Sequence, residues 1–127
     1  MSNESDCIFC TLDDTRIIHE NEFAVAIRDG YPVTDLHSLV IPKRHIPDYL
    51  DLSDEEILGC HKLLDELKHE ISDIDITIKG FNIGINTGRE AGQTIMHAHI
   101  HLIPRRLDDV PEPRGGIRHI IPGKGDY

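Results

Sequence analysis

Three histidines alternate with apolar residues in the stretch QTIMHAHIHLIP, which spans residues 93–104. They are His97, His99 and His101. Because successive side chains of a β-strand point to opposite faces, this spacing predicts a strand with the three imidazoles on one face and a buried apolar face opposite. Imidazole has an ordinary pKa near neutrality, so such a row can supply a nucleophile, a general acid and a general base. It can also bind a metal ion.

A catalytic metal held by all three histidines is the weaker of these two interpretations. Side chains on one face of a strand lie about 6.6–6.8 Å apart from each to the next. Three neighbours in a row therefore do not converge readily on one tetrahedral ion. We expect the histidines to act mainly through their own acid–base and nucleophilic chemistry.

Cys7 and Cys10 form a Cys-x-x-Cys pair near the start of the chain. A thioredoxin-type redox pair is one interpretation, but no strand–helix–strand pattern surrounds it. Half of a zinc site fits better, since two thiolates at this spacing can share a tetrahedral ion, with His45 and His97 as candidates for the other two ligands. Two thiols without any function remain an alternative. Cys60 lies in a helical pattern and is interpreted as a core residue.

Most of the net charge of −10 lies in residues 48–75. This segment has ten acidic residues and two lysines, so its own net charge is −8. Without a net positive face the chain is not expected to bind a nucleic acid polymer. A small anion can still bind, because basic residues lie outside this segment. Among them are Lys43, Arg44, Arg105, Arg106, Arg114 and Arg118.

No apolar run reaches the length of a transmembrane helix, and the N-terminus shows no basic region followed by an apolar one. Three cysteines, an odd number, do not suggest a disulfide framework. We therefore expect a cytoplasmic protein without a membrane partner.

The length of 127 residues predicts one domain over residues 1–127, with a core at 7–105 and a C-terminal tail at 106–127. Alternation indicates strands at 16–19, 22–29, 37–42 and 81–86. Ser53 and Glu56 form a capping-box pattern before a long helix. Hairpin-like strands around one helix predict an α+β fold with an antiparallel sheet. The tail's isoleucines, Ile117, Ile120 and Ile121, suggest packing against the body or a second subunit.

The loop between residues 84 and 97 is expected to lie beside the histidines. A hairpin there would bring Asn86 near them. Gly88 and Gly92 allow positive φ angles, from which backbone N–H groups can converge on an anion.

Together these motifs resemble the histidine triad (HIT) family of nucleotide hydrolases and transferases. The matching segments are HAHIHLI at 97–103, HSLVIPKRH at 37–45 and GQT at 92–94, and the resemblance covers about residues 7 to 105. It implies a five-stranded antiparallel sheet with one long helix, usually paired as a homodimer through the helix and a strand. It also implies a nucleotide or nucleoside-phosphate substrate.

The resemblance further implies hydrolysis at the α-phosphorus of a dinucleoside polyphosphate or nucleoside phosphoramidate. His99 would attack phosphorus and form a nucleotidyl-histidine intermediate. His101 would support the phosphate and the leaving group, and His37 would complete the cluster. No requirement for Mg²⁺ is expected. The alternative function is a nucleotide-binding sensor or regulatory dimer with little turnover.

Other residues match binding positions of the family. Asp29 matches the acid that holds the ribose hydroxyls, and Gly92 lies in the turn beside the phosphate. The base pocket would be formed by Phe9, Leu12 and Ile27, and the further hydrogen-bond partners would be Asn86, Gln93 and Thr94. Zinc-bearing members have a structural ion whose ligands match Cys7, Cys10, His45 and His97.

Two positions distinguish this chain within the family pattern. Leu36 stands before His37, where the family commonly has glycine. The third histidine, His101, replaces the glutamine of the uridylyl-transferase relatives and favours hydrolysis.

Overall fold

The computed structural model describes residues 4–127. The first three residues lie outside the described residues. They are part of the N-terminal stretch in which the sequence shows no basic region followed by an apolar one. In chain order the main elements are β1 Ile17–Glu20, β2 Ala24–Arg28, β3 Ser38–Pro42, α1 Asp54–Ile74, β4 Ile78–Gly84 and β5 Ile100–Arg106. Within residues 4–127 no helix combines the length and the apolar character that crossing a membrane requires.

The five strands form one sheet in the order β1-β2-β3-β5-β4, and every neighbouring pair is antiparallel. In the centre of the sheet, Leu39 of β3 and Gly84 of β4 both pair with His101 of β5. The predicted fold class is therefore confirmed: a five-stranded antiparallel sheet with one long helix.

The helix α1 begins with the predicted capping box. The Ser53 side chain accepts a hydrogen bond from the Glu56 N–H, and the Glu56 carboxylate accepts one from the Ser53 N–H. Arg44 also donates to that carboxylate, and it holds the pKa of Glu56 down at about 2. The end of β3 is thus joined to the first turn of the helix.

The sheet has two covered faces. On one face, α1 packs over alternate residues of the central strands, including Ala26, Val40 and Leu102, all fully buried. The opposite face presents Val25, Ile27, Leu39 and Ile41, and the N-terminal residues Cys7 and Phe9 pack against it. Complete burial of each large aliphatic side chain contributes about 1.5–3 kcal/mol. The second face carries the histidines.

The strand containing the triad is shorter than its sequence pattern predicts. The alternation indicated a strand through all three histidines, but β5 begins at Ile100, after His97 and His99. The reason is a different backbone partner: the Ala98 N–H donates to the Ile46 carbonyl, 2.7 Å away, in the segment that follows β3. The first two histidines therefore lie in an extended approach to β5.

Leu36 adopts a left-handed backbone conformation with φ of 72°. The turn is closed by a hydrogen bond of 3.1 Å from the His37 N–H to the Thr34 carbonyl. Glycine takes this conformation freely, whereas another residue loses about 1–2 kcal/mol. The turn is therefore kept at an energetic cost in this chain.

The tail forms a short 3-10 helix, Gly116–Ile120, and folds over its own last residues. The guanidinium groups of Arg114 and Arg118 lie 4.6 and 4.9 Å from the Tyr127 ring centroid. The tail isoleucines are exposed, at 66%, 76% and 57% for Ile117, Ile120 and Ile121. The expected packing of these three side chains against the body is therefore not observed.

Gly59 of α1 is a position where the helix closely approaches the β1–β2 turn. Asn21 donates to the Gly59 carbonyl at 2.9 Å, and a Cβ atom on Gly59 would lie 2.8 Å from Phe23 Cβ. We expect Gly59→Ala to lower the free energy of unfolding by about 1–3 kcal/mol in urea titrations. In an open helix the same change would raise it by up to about 1 kcal/mol.

Gly80→Ala in β4 is the matched control, because a Cβ atom there meets nothing within 4 Å. Its unfolding free energy should stay close to that of the parent chain. A Gly59→Ala protein as stable as the parent would show that the contact with Phe23 relaxes without cost.

Candidate active site and metal centre

His99 is held in a single tautomer by the backbone. Its Nδ1 lies 2.8 Å from the His97 carbonyl, which can only accept, so Nδ1 carries the hydrogen. In the neutral ring Nε2 is then unprotonated and has a free lone pair. The Phe9 ring meets the His99 ring edge-on, at 5.0 Å between centroids, and His99 is 9% exposed. The geometry of His99 is that of an oriented nucleophile.

His37 and His101 form a second, directly bonded pair. The Val33 N–H donates to His37 Nδ1 at 3.1 Å, so His37 carries its hydrogen on Nε2. That Nε2–H donates to His101 Nδ1 at 2.9 Å. His101 therefore carries its own hydrogen on Nε2. Its ring lies 5.2 Å from the His99 ring, centroid to centroid, so an N–H donor and an unprotonated ring nitrogen lie on neighbouring rings.

Burial sets the charge of this pair. It lowers the pKa of His37 and also that of His101, and His99 and His37 lower the pKa of His101 further. The nearby Asp29 carboxylate acts in the opposite direction on both. Its Oδ2 lies 3.4 Å from His37 Nε2 and 4.0 Å from His101 Nδ1. Neutral rings are thus favoured, but one carboxylate stands beside them.

His97 belongs to a different cluster from the other two triad members. Its Nε2–H donates to the Pro42 carbonyl at 2.7 Å, which leaves Nδ1 as a lone pair. That Nδ1 faces the sulfur atoms of Cys7 and Cys10 at 3.5 and 3.4 Å, and His45 Nδ1 at 3.3 Å. Cys10 Sγ lies 3.2 Å from His45 Nδ1. The four ligand atoms lie within 4.8 Å of one another.

This donor set fits a tetrahedral zinc ion. Zinc–sulfur bonds of about 2.3 Å and zinc–nitrogen bonds of about 2.0–2.1 Å place sulfur and nitrogen about 3.6 Å apart, and two nitrogens about 3.3 Å apart. The distances between the four side chains follow this pattern closely. Burial, with a further contribution from Cys7, raises the pKa of the Cys10 thiol to about 11, so a thiolate at this position needs a cation beside it.

The turn before the triad is held by its own hydrogen bonds. The N–H groups of Gly92 and Gln93 donate to the carbonyls of Arg89 and Gly88. Both hydrogens of the Gln93 side-chain amide are used as well, at 2.9 Å to the Pro47 carbonyl and 3.1 Å to the Ile95 carbonyl. In this structure the Gln93 donors fix the loop, and the expected hydrogen bond from Gln93 to a phosphate stays a prediction.

The other predicted binding residues are distributed around the histidines. Phe9 and Leu12 line a cavity of about 550 Å³ that also borders Cys10 and His45. Ile27 is fully buried in the same apolar cluster as Phe9 and does not line this cavity. Asn86, Gly92 and Thr94 are exposed in the loop that precedes the triad.

Sequence reasoning missed the backbone groups that set the imidazole tautomers. They are the carbonyls of His97 and Pro42 and the N–H of Val33. The sequence carries no signal for them, because every residue has a carbonyl and their positions depend on the folded chain.

Known proteins share this fold. A model of the HIT domain family matches residues 11–108. A Zn-bound histidine triad family protein from Mycobacterium smegmatis is 33% identical, with a TM-score of 0.75 over 84% of this chain and 80% of that one. Plasmodium falciparum diadenosine triphosphate hydrolase, solved with Cyclomarin A, is 28% identical, with a TM-score of 0.73 over 80% of this chain and 68% of that one.

A relative found by sequence also supports membership of this family. The adenylylsulfatase HINT3 of Arabidopsis thaliana is 32% identical over 114 residues, which are 84% of this chain and 55% of that protein. The family match contains the three histidines of the triad, and it spans the whole sheet and the helix. This chain therefore belongs to the HIT family.

Proposed function

We propose that this protein hydrolyses nucleoside phosphates at the α-phosphorus through a covalent nucleotidyl-His99 intermediate. The observation that carries the proposal is the hydrogen bond from His99 Nδ1 to the His97 carbonyl. It leaves the Nε2 lone pair free and aimed beside the His101 donor. A neutral imidazole in this state can displace a leaving group from phosphorus.

The first half of the reaction uses two histidines. His99 Nε2 bonds to phosphorus, while the bond from phosphorus to the leaving group breaks. The leaving group takes a proton from His101 Nε2 of the protonated His37–His101 pair, which becomes neutral. In the second half, water attacks phosphorus and His99 Nε2 leaves with its electron pair. His101 Nε2 takes the proton of the water. General acid–base help of this kind contributes about 10²–10⁴-fold in rate.

The substrate class follows from the site and from the relatives. Buried apolar side chains next to His99, with Phe9 in direct contact, suit a nucleoside. Two similar proteins are named for activity on diadenosine triphosphate and on an adenylylsulfate. Both compounds join a nucleoside phosphate to an acidic leaving group, which supports dinucleoside polyphosphates or related nucleoside phosphates as substrates here.

We infer that Cys7, Cys10, His45 and His97 hold a structural zinc ion. The support is the fit of the four donor atoms to tetrahedral geometry and the Zn-bound relative. When bound, zinc supplies a closed four-ligand link between the N-terminal segment and the triad. The His97 side chain would then be fixed as a zinc ligand, while the His97 backbone carbonyl orients the ring of His99.

A homodimer belongs to the same proposal. The strand β4 is an edge of the sheet, and an unpaired edge strand can pair with another copy. Its Ile83 side chain is 52% exposed. Pairing at this edge would cover that side chain.

His99→Ala should remove the covalent intermediate and lower turnover of a dinucleoside polyphosphate by about 10³-fold or more, because the nucleophile is lost. The intermediate is measured as the mass of a nucleoside monophosphate added to the protein after an alkaline quench. His61→Ala, an exposed position on α1, is the matched control and should keep full activity.

Turnover that persists in His99→Ala would refute the assigned nucleophile. Tight binding of a mononucleotide by the parent protein, without turnover or adduct, would instead support the sensor function.

Cys7→Ser and Cys10→Ser should each remove zinc from the purified protein and lower its melting temperature by at least about 5 °C, since bound metal stabilises only the folded chain. Zinc per chain is measured by mass spectrometry of the metal. Cys60→Ser is the control: Cys60 is a fully buried residue of α1 and is not one of the four ligands, so zinc should stay at one ion per chain. Unchanged zinc in Cys7→Ser would exclude this ligand set.

A further inference from the structure

Asp29 follows β2 directly, and its carboxylate is directed at two histidines. The side chain is 16% exposed, with Oδ2 at 3.4 Å from His37 Nε2 and 4.0 Å from His101 Nδ1. The other oxygen, Oδ1, accepts a hydrogen bond of 2.8 Å from the Tyr31 N–H. The carboxylate is therefore fixed on one side and presents one free oxygen to the histidine pair.

The contact between the two histidines has room for one hydrogen only. His37 Nδ1 is occupied by the Val33 N–H, so the hydrogen on His37 Nε2 fills the 2.9 Å gap to His101 Nδ1. A further proton on the pair would place N–H groups on both facing nitrogens. Two such groups repel each other unless an acceptor takes them, and Asp29 Oδ2 lies beside both nitrogens.

We propose that Asp29 is a positioning residue for the chemical step, acting as the counter-ion that lets the His37–His101 pair gain and release one proton. The inference rests on the proposed hydrolase function. The pair is cationic before the first step, and His101 Nε2 gives its proton to the leaving group as the bond from phosphorus to that group breaks. The pair is then neutral, and it becomes cationic again when His101 Nε2 takes the proton of the attacking water.

Among the groups around the histidine pair, the Asp29 carboxylate is the one whose charge favours the protonated pair. The nearest charged or titratable neighbours are Asp29 after β2 and His99 before β5, while β4 presents only Gly84 opposite His101. Arg105 follows His101 by four residues on β5, and its guanidinium forms an ion pair with Asp109. Among the groups in residues 4–127 that shift these two pKa values, Asp29 alone favours the cation.

This role differs from the ribose contact that the family resemblance implies. A ribose contact contributes to binding whatever the leaving group is. A counter-ion for the histidine pair contributes where the leaving group needs a proton, and little where the leaving group departs as a stable anion.

The first test is a titration of the free protein. In Asp29→Asn the histidine resonances of His37 and His101, followed by NMR, should titrate about one pH unit lower or more, because a nearby opposite charge has been removed. The new amide keeps an oxygen for the Tyr31 N–H, so the turn is retained. Asp35→Asn removes the same charge from an exposed position nearby and should leave both titrations unchanged.

The second test compares two substrates with the same nucleoside monophosphate. One carries a nitrophenol leaving group and the other an alkylamine. Asp29→Asn should lower kcat by at least about 10-fold for the alkylamine compound and by less than about 3-fold for the nitrophenyl compound. For the alkylamine compound the alkaline limb of the kcat–pH profile, where the pair loses the proton that the leaving group needs, should move to lower pH, while KM stays within about two-fold.

Unchanged titration of His37 and His101 in Asp29→Asn would overturn the inference. So would a loss that appears in KM, is equal for both leaving groups and disappears with 2′,3′-dideoxy substrates. That result would assign Asp29 to the ribose and leave the proposed function intact. A parent protein without turnover would remove the proposed function, and the titration alone would then decide whether Asp29 supports the charged pair.

Discussion

The hydrogen bond from His99 Nδ1–H to the His97 carbonyl is the interaction on which the site depends. It joins two members of the triad that have different surroundings, because His97 turns its Nδ1 towards two cysteines while its carbonyl fixes the ring of His99. A backbone carbonyl can only accept, so the tautomer of His99 does not depend on any titrating partner. The sheet, the N-terminal segment and the cysteine cluster all hold this short stretch in place.

Five histidines lie around this bond in two sets. His45 and His97 lie beside the cysteines, and His37, His99 and His101 lie beside one another. Backbone groups take one nitrogen each of His37, His97 and His99. The other nitrogen of His37 faces His101, that of His97 faces the cysteine sulfurs, and that of His99 keeps a free lone pair. In one set the lone pairs converge with two sulfur atoms, as a metal ion requires. In the other, a donor chain ends at His101 Nε2. One type of side chain, imidazole, can therefore offer ligand atoms in one cluster and acid–base groups in the other.

Much of this fold could be predicted from the sequence, since its signals are local. The Ser53–Glu56 capping box and the alternation in the strands depend on neighbours in the chain. The Cys-x-x-Cys pair and two histidines also come together as expected. What could not be predicted depends on distant backbone groups. The Ile46 carbonyl delays the start of β5, and those of Pro47 and Ile95 take the Gln93 amide.

The backbone conformation of Leu36 limits which residues can stand at position 36. Its left-handed backbone immediately precedes His37, whose ring must meet both Val33 and His101. A β-branched residue at position 36 would fit this conformation worst, while glycine or asparagine would fit it with less strain. Replacing Leu36 with glycine or asparagine would therefore relieve the backbone and, at the same time, remove the contact that the leucine side chain makes with the core.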